Sequence, residues 1–261
     1  MSSKTDRRAK EILRLLLHQG KTSMEELTSA MGTSPASVRR DLVRLEERGL
    51  VHRTHGGAML AEQAVYEPFR FDASFKVRED RFAQEKQRIG KAAASLVEEG
   101  ETIGLTAGTT TTQVARHLRQ RTNLRILTNA VNIAMELSAS AGLTVNLTGG
   151  SMRWAGASSL IGSGAVEPVK MFVMDRVFIG VCGVDQERGA TTIEPDEAAV
   201  FRAMAAQSKQ VVVTADSSKI GMVSPAVICS IREINVLITD DGVSEQTLAG
   251  FTRAGVKVLI V

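Results

Sequence analysis

The sequence predicts an α/β protein in two parts, a small basic helical domain followed by a larger parallel-sheet domain. Three observations carry this. Residues 34–48 form a capped, basic, amphipathic helix behind two shorter helical segments. From about residue 85 the chain alternates helix and strand, and its strands are solid apolar runs, the pattern of a sheet buried on both faces. Charge divides the same way: residues 1–57 hold 11 Lys and Arg against 7 Asp and Glu, whereas the whole chain has 32 against 29. The predicted boundaries are 1–58 for the first domain, 59–84 for a linker and 85–261 for the second domain.

In the first domain, Ile12, Leu15 and Leu16 make a helical apolar stripe closed by His18-Gln19-Gly20. Ser23 and Glu26 are spaced as a capping box and open a second helix with Met24, Leu27 and Met31 inward. Gly32-Thr33 leads into Ser34, an N-cap, and Pro35 sits at the first helical position, where a missing N–H costs nothing. Val38, Leu42 and Leu45 share one face; Arg39, Arg40 and Arg44 lie off it, and Gly49 stops the helix. Helix, helix, short turn, helix is the helix-turn-helix order. Leu50 to Gly57 predicts a short hairpin wing, which makes the domain a winged helix-turn-helix.

A basic excess confined to this fifth of the chain points to nucleic acid as the partner. Aromatic residues are only 4% of the chain, which argues against single-strand stacking and for a duplex. Double-stranded operator DNA is therefore the expected partner. Ser34, Ser37, Arg39 and Arg40 would face base edges, while Ser23, Arg53 and His55 would meet phosphates. The competing view of the basic helix is an ordinary solvated face, with Arg44 paired to neighbouring glutamates.

The linker carries Tyr66, Phe69, Phe71 and Phe75, and the three phenylalanines would dock it onto the second domain. Next come a helix at 85–97 with Ile89, Ala92, Ala93 and Leu96 on one side, a strand at 102–106, a helix at 111–118, a strand at 125–128, a helix at 132–138 and a strand at 145–148. A strand at 176–182, a helix at 195–207, strands at 211–215 and 235–239, a helix at 244–254 and a strand at 256–261 complete it. Hydrophobic residues make up 43% of the chain, enough for a core built mainly of aliphatic side chains. No apolar run approaches a membrane span, and the polar, basic N-terminus is unlike a secretory signal. Cys182 and Cys229 lie in apolar strand contexts and read as buried free thiols of a reducing compartment, so a cytoplasmic location with no membrane partner is expected. The four histidines are not spaced with cysteines as ligands, so no metal and no cofactor are expected.

The strand ends of the second domain carry its polar residues. Thr106-Ala-Gly-Thr-Thr-Thr-Thr112 ends a strand and opens a helix: Gly108 lets a ligand approach, and Thr109, Thr110 and Thr111 offer hydroxyls beside unpaired helix N–H groups. The loop lacks the lysine of a nucleotide P-loop, which argues against ATP. Thr128-Asn129, Gly149-Gly150 with Arg153, and Asp216-Ser-Ser-Lys219 end other strands, at the edge where ligands of parallel sheets bind. Gly108, Thr109, Thr110, Thr111, Asn129, Gly150, Arg153 and Lys219 are the expected ligand residues, for a small phosphorylated compound; Asn129 taken alone reads rather as a helix cap. No catalytic residue is expected. A sugar-phosphate isomerase would need a general base, for which Asp216, Glu194 and Glu197 are the candidates. A further alternative is an architectural DNA binder whose second domain senses nothing.

Ser34-x-x-Ser-Val-Arg-Arg-Asp-Leu42, Leu45-Glu46, Gly49-Leu50 and His55-Gly-Gly57 resemble the DeoR family of bacterial transcription regulators. So do Glu85-Lys86, Gly108-Thr-Thr110, Thr128-Asn129, Gly149-Gly150, Asp175 with Phe178-Ile-Gly180, and Ser217-Ser-Lys219. The resemblance covers nearly the whole chain. It implies a winged helix joined to a sensor domain similar to ribose-5-phosphate isomerase, and a sugar-phosphate effector that relieves repression of sugar-catabolism genes. It also implies an oligomer, a homodimer or homotetramer. Two positions depart from the family pattern: Thr106, where the family commonly has Asp, and Phe201, where it often has Lys.

Overall fold

A computed structural model describes residues 8–9, 11–13, 15–16, 21–47, 50–54, 56–60, 73–153 and 158–261. They fall into two compact units, Met1–Phe71 and Asp72–Val261. The expected stops at His18–Gly20 and Gly49, together with His55, Tyr66, Phe69 and Phe71, lie outside the described residues.

The small unit has helical residues at 8–9, 11–13 and 15–16, then β1 (Lys21–Ser23), α1 (Met24–Met31), α2 (Pro35–Glu47), β2 (Val51–Thr54) and β3 (Gly57–Leu60). Ile12, Leu16, Leu27, Val38, Leu42 and Leu45 form its fully buried core, the stripe that the 3.6-residue period marks. The wing hairpin β2–β3 gains β1 as a third antiparallel strand, in the order β1-β3-β2. Glycine at 57 permits this: a Cβ there would sit 2.0 Å from the Thr22 carbonyl oxygen. Residues 73–80, which the sequence placed in the linker, form a helix, and Phe75 on it is buried.

The large unit opens with α3 (Ala73–Asp80) and α4 (Ala83–Ser95). It continues with β4 (Thr102–Leu105), α5 (Thr109–Leu118), β5 (Leu124–Thr128), α6 (Val131–Leu137), β6 (Leu143–Leu147), β7 (Ser151–Arg153), β8 (Ser159–Ile161), α7 (Ser163–Val169), β9 (Met174–Gly180), β10 (Gly183–Asp185) and β11 (Gly189–Thr192). Then follow α8 (Pro195–Ala206), β12 (Ser208–Thr214), β13 (Ala226–Cys229), β14 (Val236–Thr239), α9 (Glu245–Arg253) and β15 (Lys257–Ile260). Seven strands make one parallel sheet in the order β15-β14-β12-β9-β4-β5-β6. Its central strands are buried on both faces, as their unbroken apolar runs require. The sequence did not anticipate the antiparallel sheet β10-β11-β13, the hairpin β7–β8 or α7. Strands of three or four residues are too short to show a period. No described helix is long and apolar enough to cross a membrane.

Candidate functional site

The candidate recognition surface is built on α2. Ser34 caps it: its Oγ accepts from the Ser37 N–H at 3.3 Å and lies 3.1 Å from the Ser37 hydroxyl. The Arg40 guanidinium donates to Ser37 Oγ at 3.4 Å, and Arg39 and Arg40 are both exposed. Asp41 faces the other way, into the core, where Arg8 donates to it at 2.9 Å and Arg44 lies 3.9 Å away. That anchor fixes the roll of α2 and so the direction of its arginines.

Two of the expected phosphate contacts already have structural work. Ser23 caps α1 in a capping box: Glu26 N–H donates to its Oγ at 3.1 Å and its own N–H donates to Glu26 at 2.8 Å. These bonds, the main-chain one first, hold the Glu26 carboxyl below its ordinary range. Arg53 donates to Glu46 through its main-chain N–H at 2.9 Å and through its guanidinium, tying the wing to α2. His55 lies outside the described residues.

The large unit has a cavity of about 430 Å³ where β4, β9 and β12 end. Its wall includes Gly108, Thr109 and Thr110, where α5 starts. Gly108 has no side chain to cap that helix, and the first main-chain bond of the turn runs from Thr112 N–H to Gly108 O at 3.0 Å. The N–H groups before it have no intrahelical partner and carry the positive end of the helix dipole. Thr110 lines the cavity with only 7% of its surface exposed.

Arg153 and Lys219 also line the cavity. Arg153 donates to Glu194 at 2.7 Å and lies 3.7 Å from Glu197, which accepts from Ser159 Oγ at 2.6 Å. Asp216 accepts from the Ser218 N–H and hydroxyl and lies 3.9 Å from Lys86 Nζ. The structure thus brings Gly108, Thr109, Thr110, Arg153 and Lys219 to the cavity lining and leaves Thr111, Asn129 and Gly150 out of it.

Those three residues shape the site from behind. Thr111 is fully buried, and its hydroxyl lies 2.7 Å from the Thr106 carbonyl and 3.0 Å from that of Gly108. Asn129 does not cap α6, whose N-cap is Ala130. Its Oδ1 accepts from Ala107 N–H at 2.9 Å and its Nδ2 donates to Leu160 O at 3.2 Å, so it struts the ligand loop. Gly150 has φ +100°, and a Cβ there would sit 2.5 Å from the Ile161 carbonyl oxygen, so its role is close packing under the hairpin β7–β8.

Thr106 is fully buried and its hydroxyl accepts from Gly180 N–H at 3.0 Å, joining the ends of β4 and β9. Phe201 supplies apolar wall to the cavity. Cys229 is buried as expected, and burial pushes its thiol up to about 12. Cys182 is only half-buried and lines the cavity, 3.6 Å from the Thr192 hydroxyl. It follows β9, at the strand ends where the parallel sheet opens.

Lys86, Arg78, Arg81 and Phe82 also line the cavity, and none of them is among the ligand residues expected from sequence. Lys86 is 4% exposed and donates to the carbonyls of Arg78 and Arg81, the latter at 2.6 Å. Burial lowers its pKa, partly offset by Asp216. One signal pointed to it: Lys86, Ile89 and Ala93 share one face of α4, so a charge sits on a buried stripe.

The family model of the DeoR-like helix-turn-helix domain matches residues 8–64, and that of the DeoR C-terminal sensor domain matches residues 81–241. The putative aga operon transcriptional repressor of Escherichia coli O157:H7 is 31% identical over 98% of this chain and 94% of its own length. The HTH-type transcriptional repressor GlcR of Bacillus subtilis is 33% identical over 95% of this chain and 93% of its own. The glycerol-3-phosphate regulon repressor of Escherichia coli K12 is 31% identical over 91% of each. Among solved structures, ribose 5-phosphate isomerase A of Methanocaldococcus jannaschii aligns over 53% of this chain and 54% of its own, at 18% identity and a TM-score of 0.39, too slight a likeness to argue from. With both of its domains matched in order, and full-length repressors among its relatives, the chain belongs to the DeoR family of DNA-binding transcriptional regulators.

Proposed function

We propose that this regulator is a repressor of sugar-catabolism genes that loses operator affinity when a phosphorylated sugar fills the cavity at Gly108–Thr110. One observation carries the proposal: an uncapped helix start opens into a cavity that also holds Lys219, Arg153 and the nearly buried Thr110. Free main-chain donors, a dipole end and cations together suit a phosphate ester. Two relatives, named as an aga operon repressor and a glycerol-3-phosphate regulon repressor, support a repressor of this kind. Asp216, Glu194 and Glu197 each have a cation or hydroxyl on them and are given no catalytic part. The protein acts in the cytoplasm as a homodimer or homotetramer, which would place paired recognition helices about 34 Å apart on half-sites of one operator; sedimentation checks the oligomer.

The test of the ligand is thermal unfolding against a panel of sugar and glycerol phosphates. A ligand at a hundred times its dissociation constant adds about 2.7 kcal/mol to stability. One phosphate ester should raise the midpoint while its dephosphorylated parent does not, and Lys219→Ala should reduce the shift. No shift with any phosphate ester, or an equal shift with the parent sugar, would contradict the proposal.

A further inference from the structure

The turn between α3 and α4 has the features of a ligand-gripping wall. Arg81 and Phe82 line the cavity, and the Arg81 guanidinium stands 5.4 Å from the Phe82 ring centroid. Among the described residues no ion pair holds that guanidinium, and Arg81 is exposed. Phe82 adopts φ +55°, a left-handed conformation that a bulky residue takes only where its surroundings impose it.

Lys86 is the agent nearest to that turn. A buried ammonium ordinarily seeks a carboxylate, yet the Asp216 carboxylate is 3.9 Å away while the lysine's short bonds go to the main-chain carbonyls of Arg78 and Arg81. These carbonyls lie in the last turn of α3 and just beyond it, where a helix leaves carbonyls without intrahelical donors. The other side of α3 is fastened to the ligand-facing helix: Glu79 pairs at 2.8 Å with Arg116 of α5, which also pairs at 3.0 Å with Glu136 of α6. Helix α3 is thus tied to both α4 and α5, and it is the first element of the large unit in chain order.

We propose that Arg81 is a ligand-binding residue of this cavity, that Lys86 positions it by holding the carbonyls of its turn, and that occupancy is thereby registered at residues 73–82, where the chain enters the unit from the DNA-binding one. This rests on the phosphate-ester function proposed above. The ligand's phosphate is gripped by Arg81 as well as by the start of α5, so binding orders the turn. Lys86 acts through Arg81.

The test uses the full chain, with glycerol 3-phosphate, glucosamine 6-phosphate, fructose 1-phosphate and inorganic phosphate as probes. Affinity is measured by calorimetry, and hydrogen exchange is followed with and without the tightest-binding probe. Protection is expected at 107–112 and also at 73–82. Arg81→Ala should weaken that probe roughly tenfold or more, the scale of one charge-assisted hydrogen bond, with the unfolding midpoint unchanged. In a Lys86→Met background the Arg81→Ala effect should vanish, a non-additivity that a purely structural lysine would not produce. If Lys86→Met does not fold, Arg81→Ala and the exchange at 73–82 decide. Protection at 107–112 with none at 73–82, or unchanged affinity in Arg81→Ala, would overturn this inference and leave the phosphate-ester function standing. No protection at 107–112 with any probe would overturn both.

Discussion

Each unit has a helix start where an anionic partner is proposed, and the two are capped in opposite ways. At α2 the Ser34 hydroxyl takes a first-turn N–H, and Ser23 with Glu26 does the same at α1. One first-turn donor of each helix is thus taken by a side chain of the protein, and the exposed Arg39 and Arg40 are the proposed contacts to DNA. At α5 the cap is Gly108, which has no side chain to offer, and the helix start lines a cavity. Flexible surface arginines suit a long polyanion bound in competition with salt. Fixed main-chain dipoles in a cavity suit one small anion of defined shape. The same local feature, a helix start after a turn, is proposed to serve both purposes, with a serine at one cap and a glycine at the other.

The largest test of that contrast strikes the loop that keeps the α5 donors aimed. Asn129→Ala leaves the Ala107 N–H and Leu160 carbonyl without their side-chain partner in fully buried surroundings. It should cost the large unit about 2–4 kcal/mol of unfolding free energy. Calorimetry showing less than about 1 kcal/mol would mean that the loop does not depend on its strut. Next in size, Arg39→Ala or Arg40→Ala should cost about 1–3 kcal/mol of operator discrimination with no change in unfolding midpoint. Footprinting that shows the wild-type pattern in both variants would remove these arginines from base readout.

Smaller effects divide the two caps. Ser34→Ala should lower the stability of the small unit by about 1 kcal/mol, as loss of a working cap does. Thr110→Val should leave the midpoint of the free protein in place and weaken a bound phosphate ester by about 1 kcal/mol. An equal stability loss in both would erase the distinction between a spent and a free helix start. Smallest, a thiol reagent at neutral pH should modify Cys182 and spare Cys229, whose thiol burial pushes up to about 12. A ligand in the cavity should slow the Cys182 reaction, followed by mass spectrometry, because that sulfur lines the wall. Rapid modification of Cys229 in the native protein would contradict its burial.

How much of this was legible in sequence depended on whether the signal was local. The capped basic helix, the apolar stripe of Val38, Leu42 and Leu45, and the Gly108–Thr110 turn are each written within a few residues, and the fold uses them so. Asn129 misled because a polar residue at a strand end has the same local appearance whether it caps, binds or struts. Only the approach of Ala107 and Leu160, from other parts of the chain, shows which role it plays. Gly150 looked like ligand-loop glycine because the contact that demands it, Ile161, is a strand away. Lys86 and Arg81 stand far from the threonine loop in sequence and reach the cavity through tertiary packing; the Glu85-Lys86 motif and a charge on the buried stripe of α4 are the local clues.

Filling the cavity should change what α2 can hold, and coupling of that kind is a free energy between two sites. Its direct measure is fluorescence anisotropy of a labelled operator, recovered by selection from random duplexes, titrated with the full chain with and without the phosphate ester that gives the largest thermal shift. Saturating ester should weaken operator affinity by roughly 5- to 150-fold, the usual span of such coupling, and Thr110→Val should need more ester for the same loss. Operator affinity unchanged at ester concentrations that saturate the cavity would contradict it.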